Sequence, residues 1–260
     1  MMNKPHKSDP WLGRWPLIAY QKAKALIDPV VRHANAERRQ RKIFFSELFG
    51  RGDLVFDIGA NHGLRSRHFL ELGARVVAVE PQPHCAAELR SCLGRHPRFH
   101  LEELALGAAP GTLTLRICEN CDVLTTALPP GLMVARFNDP QFHWREHTVP
   151  MTTLDALISR HGLPAFCKID VEGYEERVLA GLSQPLPALS LEFMTDTLPM
   201  LERCCLKLLS LGQYRFRFSE ADTLAWQHDG WLGWDDMRRH LQQLGSANPD
   251  LWGDVYAKRT

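Results

Sequence analysis

No stretch of the 260-residue chain approaches the roughly 18 consecutive apolar residues that a bilayer-spanning helix requires, so a transmembrane reading is excluded. A surplus of one charge is also missing. Lys+Arg number 31 against 30 Asp+Glu, a formal charge of +1, and no global basic field argues for a nucleic-acid partner. No internal repeat is visible. The polar start lacks a compact apolar stretch and a small-residue cleavage site. The seven cysteines are an odd number, and with no secretory signal they read as reduced thiols in a cytoplasmic protein. Cys118 and Cys121 form a CxxC, but no second pair stands at zinc-ribbon spacing, so no metal centre is expected. Hydrophobic residues at 45% and charged residues at 23% are globular averages, which rules out a disordered or fibrous chain.

What charge there is lies unevenly. Residues 1–51 hold eleven Lys/Arg and four Asp/Glu, a net of +7, which leaves −6 for the remainder. Trp11, Trp15, Leu17, Ile18, Leu26, Ile27, Val30 and Val31 are interleaved with these bases. The pattern suggests a basic helical extension over residues 1–50. It could pack on the main domain, 51–260, or make peripheral contact with an anionic membrane surface.

From Asp53 onward, strand and helix signals alternate. DLVFDI (Asp53–Ile58) and RVVAVE (Arg75–Glu80) are short apolar runs suited to strands buried on both faces. Leu64, His68, Phe69 and Leu72 give a helix ending at Gly73; CAAELRSCL (Cys85–Leu93) gives a second helix, and RFHLEELAL (Arg98–Leu106) a third strand with its exit loop. GTLTLRI (Gly111–Ile117) alternates like a strand. Cys118–Val149 loses periodicity and reads as a long functional loop. Thr152–Gly162 is a helix capped by Thr152 or Thr153, and PAFCKID (Pro164–Asp170), Gly173–Leu182, PALSLEF (Pro187–Phe193), Leu198–Gly212 and QYRFRF (Gln213–Phe218) continue the alternation. A tryptophan-rich turn and short helix follow over Asp229–Gly245, and GDVYAKR (Gly253–Arg259) gives a last strand. The final two strands suggest an antiparallel pair closing one edge of a parallel βαβ sheet.

The turn after the first strand reads Asp57-Ile-Gly59-Ala-Asn61-His-Gly63. Glycines there permit a tight turn and close approach of backbone N–H groups to a ligand. Glu80 ends the second strand, where an acid can accept the hydroxyls of an adenosine ribose. The G-x-x-x-G spacing is not the G-x-G-x-x-G of dinucleotide folds, and Asp57 would repel a pyrophosphate. A ligand carrying an amine and a sulfonium, as S-adenosylmethionine does, suits it better. A nicotinamide-dependent oxidoreductase, or a non-catalytic nucleoside-binding module, are the alternatives.

DIGANHG (Asp57–Gly63), VEP (Val79–Pro81), ALG (Ala105–Gly107), TTLDAL (Thr152–Leu157), KIDVEGYE (Lys168–Glu175) and LEF (Leu191–Phe193) occur in that order. The chain thereby resembles the FkbM-type family of S-adenosylmethionine-dependent methyltransferases from about Asp53 to Phe193. The resemblance implies the class I, Rossmann-like α/β fold: a seven-stranded, mostly parallel sheet with an antiparallel terminal hairpin and helices on both faces. It also implies O-methylation of a hydroxyl on a small molecule or saccharide, with S-adenosyl-L-homocysteine as product. Asp57, Gly59, Asn61 and Gly63 would frame the methionine part of the cofactor and Glu80 would hold the ribose. Glu103, Leu104 and Ala105 would lie by the adenine.

In this fold the strands ending in Asp57, Asp170 and Glu192 are neighbours, so their carboxylates should converge on one rim and raise one another's pKa values. Asp170 and Glu172 are the candidate bases for removing the acceptor's hydroxyl proton, with Lys168 two residues earlier on the same sheet face and able to pair with a carboxylate. The plain alternative is that Asp170 and Glu172 charge the start of the following helix. Glu175 and Glu176 read as solvated helix surface. Glu192, His143, Trp144 and His147 are candidates for the acceptor pocket; Trp226, Trp231 and Trp234 could stack on an acceptor or close a core.

Overall fold

The computed structural model of the chain describes residues 29–120, 125–127 and 141–260. Two compact units divide between Phe45 and Ser46. In the first, helix α1 (Pro29–Phe45) carries Glu37 paired one turn each way, with His33 at 3.1 Å and Arg41 at 3.6 Å. Trp11 to Ile27, which carry most of the aromatic and apolar pattern of the extension, lie outside the described residues.

The second unit begins its sheet with β1 (Leu54–Ile58), α2 (Leu64–Leu72), β2 (Arg75–Val79), α3 (Pro83–Leu93) and β3 (Phe99–Glu102). All five residues of β1 are buried, as the unbroken apolar run requires of a central strand. Helix α3 starts two residues earlier than Cys85, because Pro83 fits a first helical turn whose N–H groups have no partner. Then come β4 (Ala105–Leu106), β5 (Gly111–Cys118), β6 (Thr125–Thr126) and β7 (Trp144–Thr152), followed by α4 (Leu154–His161), β8 (Phe166–Ile169), α5 (Glu175–Ala180) and β9 (Ala188–Met194). The chain closes with α6 (Leu198–Leu211), β10 (Tyr214–Glu220), α7 (Trp234–Ala247) and β11 (Trp252–Arg259).

Seven strands form the main sheet in the order β10-β11-β9-β8-β1-β2-β3. Pairs from β3 through β9 are parallel, whereas β11 runs antiparallel to both β9 and β10. The final pair does close one edge, but the last strand lies inside it and β10 takes the rim. Chain order reverses between β1 and β8, which opens a crevice at their carboxyl ends.

A second sheet, β4-β7-β5-β6, was not foreseen. Trp144–Val149, expected within a loop, pairs antiparallel with β5 over its whole length, Cys118 facing Trp144 and Gly111 facing Met151. The segment WREHTVPMT buries only Val149, so it carries no alternation to read.

The two faces of the main sheet differ in kind. One presents Phe56, Cys167, Leu189 and Ala257 in a single register row, packed under Leu154, Leu157, Val178 and Leu179. On the other, Phe166 is stacked against Phe49 and Tyr256 and met edge-on by Phe69. Two residues beyond Phe166 towards the carboxyl ends, at Lys168 and its neighbour Asp57, that same face turns polar. Helix α4 is held at its start by Thr153, whose hydroxyl accepts the Ala156 N–H at 3.1 Å. Thr153→Ala should therefore lower stability by about 1 kcal/mol, read as a fall in the urea midpoint at unchanged slope.

Candidate functional site

Asp57, Lys168, Ser190, Tyr256 and Arg217 lie in register across five adjacent strands, so their side chains share one face of the sheet. All are at least nine-tenths buried. Charge in such a place must be paired. Lys168 Nζ donates to Asp170 Oδ2 at 2.8 Å and lies 3.9 Å from Asp57 Oδ1, and Asp57 Oδ2 accepts from Ser66 Oγ at 2.6 Å. Burial pushes the Asp57 carboxyl up, against the attraction of Lys168. Burial also opposes the Lys168 charge, but the carboxylates of Asp170 and Asp57 outweigh it and hold the ammonium protonated.

Asp170 departs from the expectation that the clustered acids would raise one another. Burial raises its pKa, but the facing Lys168 ammonium and a hydrogen bond with Glu192 outweigh that and hold it below the ordinary aspartate value. Of the three acids expected on one rim, Asp170 and Glu192 come together and Glu172 joins them, with ligating atoms within 4.8 Å of one another, whereas Asp57 is fully buried and is not part of that group. Asp254 on β11 stands directly opposite Glu192, and burial raises its pKa to about 6.

The β1–α2 turn presses against the end of β8. A Cβ on Gly59 would stand 1.7 Å from the Asp170 carbonyl oxygen, and its φ of +78° suits only glycine. Asn61, also left-handed at φ 47°, donates its N–H to Glu80 Oε2 at 2.7 Å; the Gln82 N–H donates to Glu80 Oε1 at 2.8 Å. Each carboxylate oxygen thus has one backbone donor and one remaining acceptor site. Burial raises the Glu80 pKa to about 7 in spite of these two donors.

An open cleft of about 700 Å³ lies over this rim. Gly59, Asn61, Glu80, Leu104, Ala105, Asp170 and Glu172 are all on its wall. Asp57 and Lys168 sit beneath the wall, and Gly63 packs its bare Cα against Leu89. The Glu103 side chain pairs with Arg90 outside the lining. Glu192 opens instead into a smaller neighbouring cavity. On the second sheet, His147 faces Leu115 across the ribbon and shares the side of the cleft residues Leu113 and Leu115. Trp144 has the opposite parity and stacks under Arg116, while His143 precedes the strand and is exposed. Trp226 and Trp231 embrace Arg217, and Trp234 is buried at the start of α7.

Several wall residues were missed. Tyr174 belongs to the KIDVEGYE segment, and Gln82 follows Glu80 by two; their nearness to chosen residues was the available signal. Thr125 and Ala127 come from the aperiodic stretch and offered none. Gln82 Oε1 and Thr125 Oγ1 are buried polar atoms with no hydrogen-bond partner among the described residues, so this wall carries acceptor capacity for a polar ligand. Glu175, expected on the surface, is 1% exposed: its Oε1 accepts the N–H groups of Val171 and Gly173 and ties the loop between β8 and α5. Burial raises its pKa to about 7.

Residues 57–200 match the family model described as the methyltransferase FkbM domain. The chain is similar to the 2-O-methyltransferase NoeI of Sinorhizobium fredii, 28% identical over 142 residues, 51% of this chain and 58% of that protein. It is also similar to the 31-O-demethyl-FK506 methyltransferase FkbM of Streptomyces tacrolimicus, 28% identical over 189 residues, 58% of this chain and 72% of that one. Among solved structures, precorrin-6y C5,15-methyltransferase from Geobacter metallireducens aligns with a TM-score of 0.45 at 13% identity, over 85% of this chain and 86% of that one.

Proposed function

The chain belongs to the FkbM methyltransferase family, and on that premise we propose that it methylates a hydroxyl of a small molecule or saccharide, using S-adenosylmethionine. The observation that carries the reading is Glu80. Its carboxylate is fixed by one backbone N–H on each oxygen and keeps one acceptor site on each, on the wall of a cleft that also holds Asp170 and Glu172. Two vicinal ribose hydroxyls are the donors that such a group fits.

The glycine turn and the carboxylate would hold the cofactor: Gly59 lets the turn seat against the Asp170 carbonyl at the end of β8, Asn61 positions Glu80, and Leu104 and Ala105 offer an apolar wall for a base. S-adenosylmethionine, when bound, supplies an electrophilic methyl group and leaves as S-adenosylhomocysteine. Asp170 and Glu172 face the same cleft and would orient the acceptor hydroxyl, with Asp170 taking its proton as the new C–O bond forms. Glu192 and His147 would border the acceptor, being next to that rim and on the cleft side of the β5–β7 ribbon.

Titration calorimetry with S-adenosylhomocysteine tests the first half of the reading. Saturable one-to-one binding is the expected result; no heat, or binding of NAD in its place, would overturn it. Transfer of a labelled methyl group to hydroxyl acceptors tests the second half.

A further inference from the structure

On the edge of the sheet away from the acceptor rim, two histidines converge on one carboxylate oxygen. His161 Nε2 of α4 lies 2.7 Å from Glu102 Oε1 of β3, and His100 Nε2 of the same strand lies 3.4 Å from that oxygen. The two rings are 4.7 Å apart, and the three ligating atoms lie within 4.8 Å of one another. Glu102 is 9% exposed, and its second oxygen accepts from Arg160 Nη1 at 2.7 Å. His100 is half open to solvent, so the group has a way in.

We propose that His100, Glu102 and His161 form a binding site for a borderline divalent transition-metal ion of the zinc, nickel or cobalt class. Two imidazoles and one carboxylate are a donor set that zinc uses with water in the remaining positions. Bonds near 2.0–2.1 Å in a tetrahedral shell put neighbouring ligand atoms about 3.3 Å apart. The His100 separation meets that as it stands, and the His161 separation needs an opening of roughly half an ångström. Arg160 supplies what a ligating carboxylate normally has, a hydrogen bond fixing its far oxygen. The burial of Glu102 against an exposed imidazole gives the rigid floor and open mouth of such a site.

An ion here would cross-link the last turn of α4 to the sheet's outermost parallel strand. Because it binds the folded state only, it would raise the thermal midpoint with concentration. The reading is independent of the proposed methyl transfer, and its test involves no turnover. Metal-stripped protein is titrated with Zn²⁺ by calorimetry and with Co²⁺ by visible absorption. One equivalent should bind. His100→Ala, chosen because the residue is exposed and its loss leaves the fold intact, should weaken binding at least about tenfold, as should His161→Ala. The cobalt spectrum should lack thiolate charge-transfer absorption, and the metal-induced rise in thermal midpoint should vanish in His100→Ala. An isotherm unchanged by His100→Ala would overturn the assignment, as would absence of saturable binding. So would a cobalt–thiolate band lost in His84→Ala, which would move the ion to His62, His84 and Cys85, whose ligating atoms also lie within 4.8 Å of one another.

Discussion

Glu80→Gln is expected to weaken S-adenosylhomocysteine binding by on the order of 10²-fold, the scale set by losing hydrogen bonds to a charged acceptor. It should also abolish the pH dependence of that binding. In the wild type, the Glu80 pKa stands at about 7 because the group is buried, and the two backbone donors only partly offset that. Ribose hydroxyls donate to the ionised form, so binding favours the carboxylate and expels the proton wherever one is held. Affinity should therefore be flat above pH 7 and fall by about tenfold per unit below it, the slope of a one-proton linkage. Glutamine cannot titrate. It also turns an amide NH₂ toward one of the two backbone N–H groups that the carboxylate satisfies, those of Asn61 and Gln82, and so loosens the turn as well. Calorimetry from pH 5.5 to 8.5 on both proteins decides the matter. A wild-type affinity that does not move across this range would detach Glu80 from the ligand.

The same residue illustrates what the sequence could and could not disclose. β1, β2 and β8 are legible because central parallel strands are apolar on both faces, and Glu80 stands out because it ends one of them. Helices α4 and α6 announce themselves by spacing and by the Thr153 cap. β7 does not, because a ribbon standing off the core needs no hydrophobic alternation. Without β7, the partition of His147 from Trp144 onto opposite ribbon faces was hidden. Glu175 misled for a related reason: two successive glutamates at a helix start look solvated, and only the closure of the loop over Val171 and Gly173 buries the first. The polar row of Asp57, Lys168, Ser190, Tyr256 and Arg217 draws on five strands scattered between positions 57 and 256, and registers between non-consecutive strands leave no local trace. Asp254, which that register sets opposite Glu192, was invisible on the same ground.

Asp170→Asn should lower kcat by roughly 10²- to 10⁴-fold, the usual contribution of a positioned proton acceptor, while S-adenosylhomocysteine affinity stays within a few-fold of wild type. The depressed pKa of Asp170 is no obstacle to this role. A hydroxyl is a very weak acid at the start, but it becomes a strong one as its oxygen acquires the methyl group, so the acceptor must be ionised at that moment more than it must be basic. Lys168, at 2.8 Å, secures the ionised form. Lys168→Met removes the ammonium whose charge and hydrogen bond do most to lower the Asp170 pKa, and leaves the opposing effect of burial in place. The pKa must then rise, and below its new value the carboxylate is protonated and idle. The acid limb of kcat should accordingly move up in pH in Lys168→Met and disappear from the residual rate of Asp170→Asn. The limb assigned to Glu80 would be read separately, in cofactor binding. Equal kcat values for Asp170→Asn and wild type at saturating acceptor would transfer the proton to Glu172, the other acid on the cleft wall.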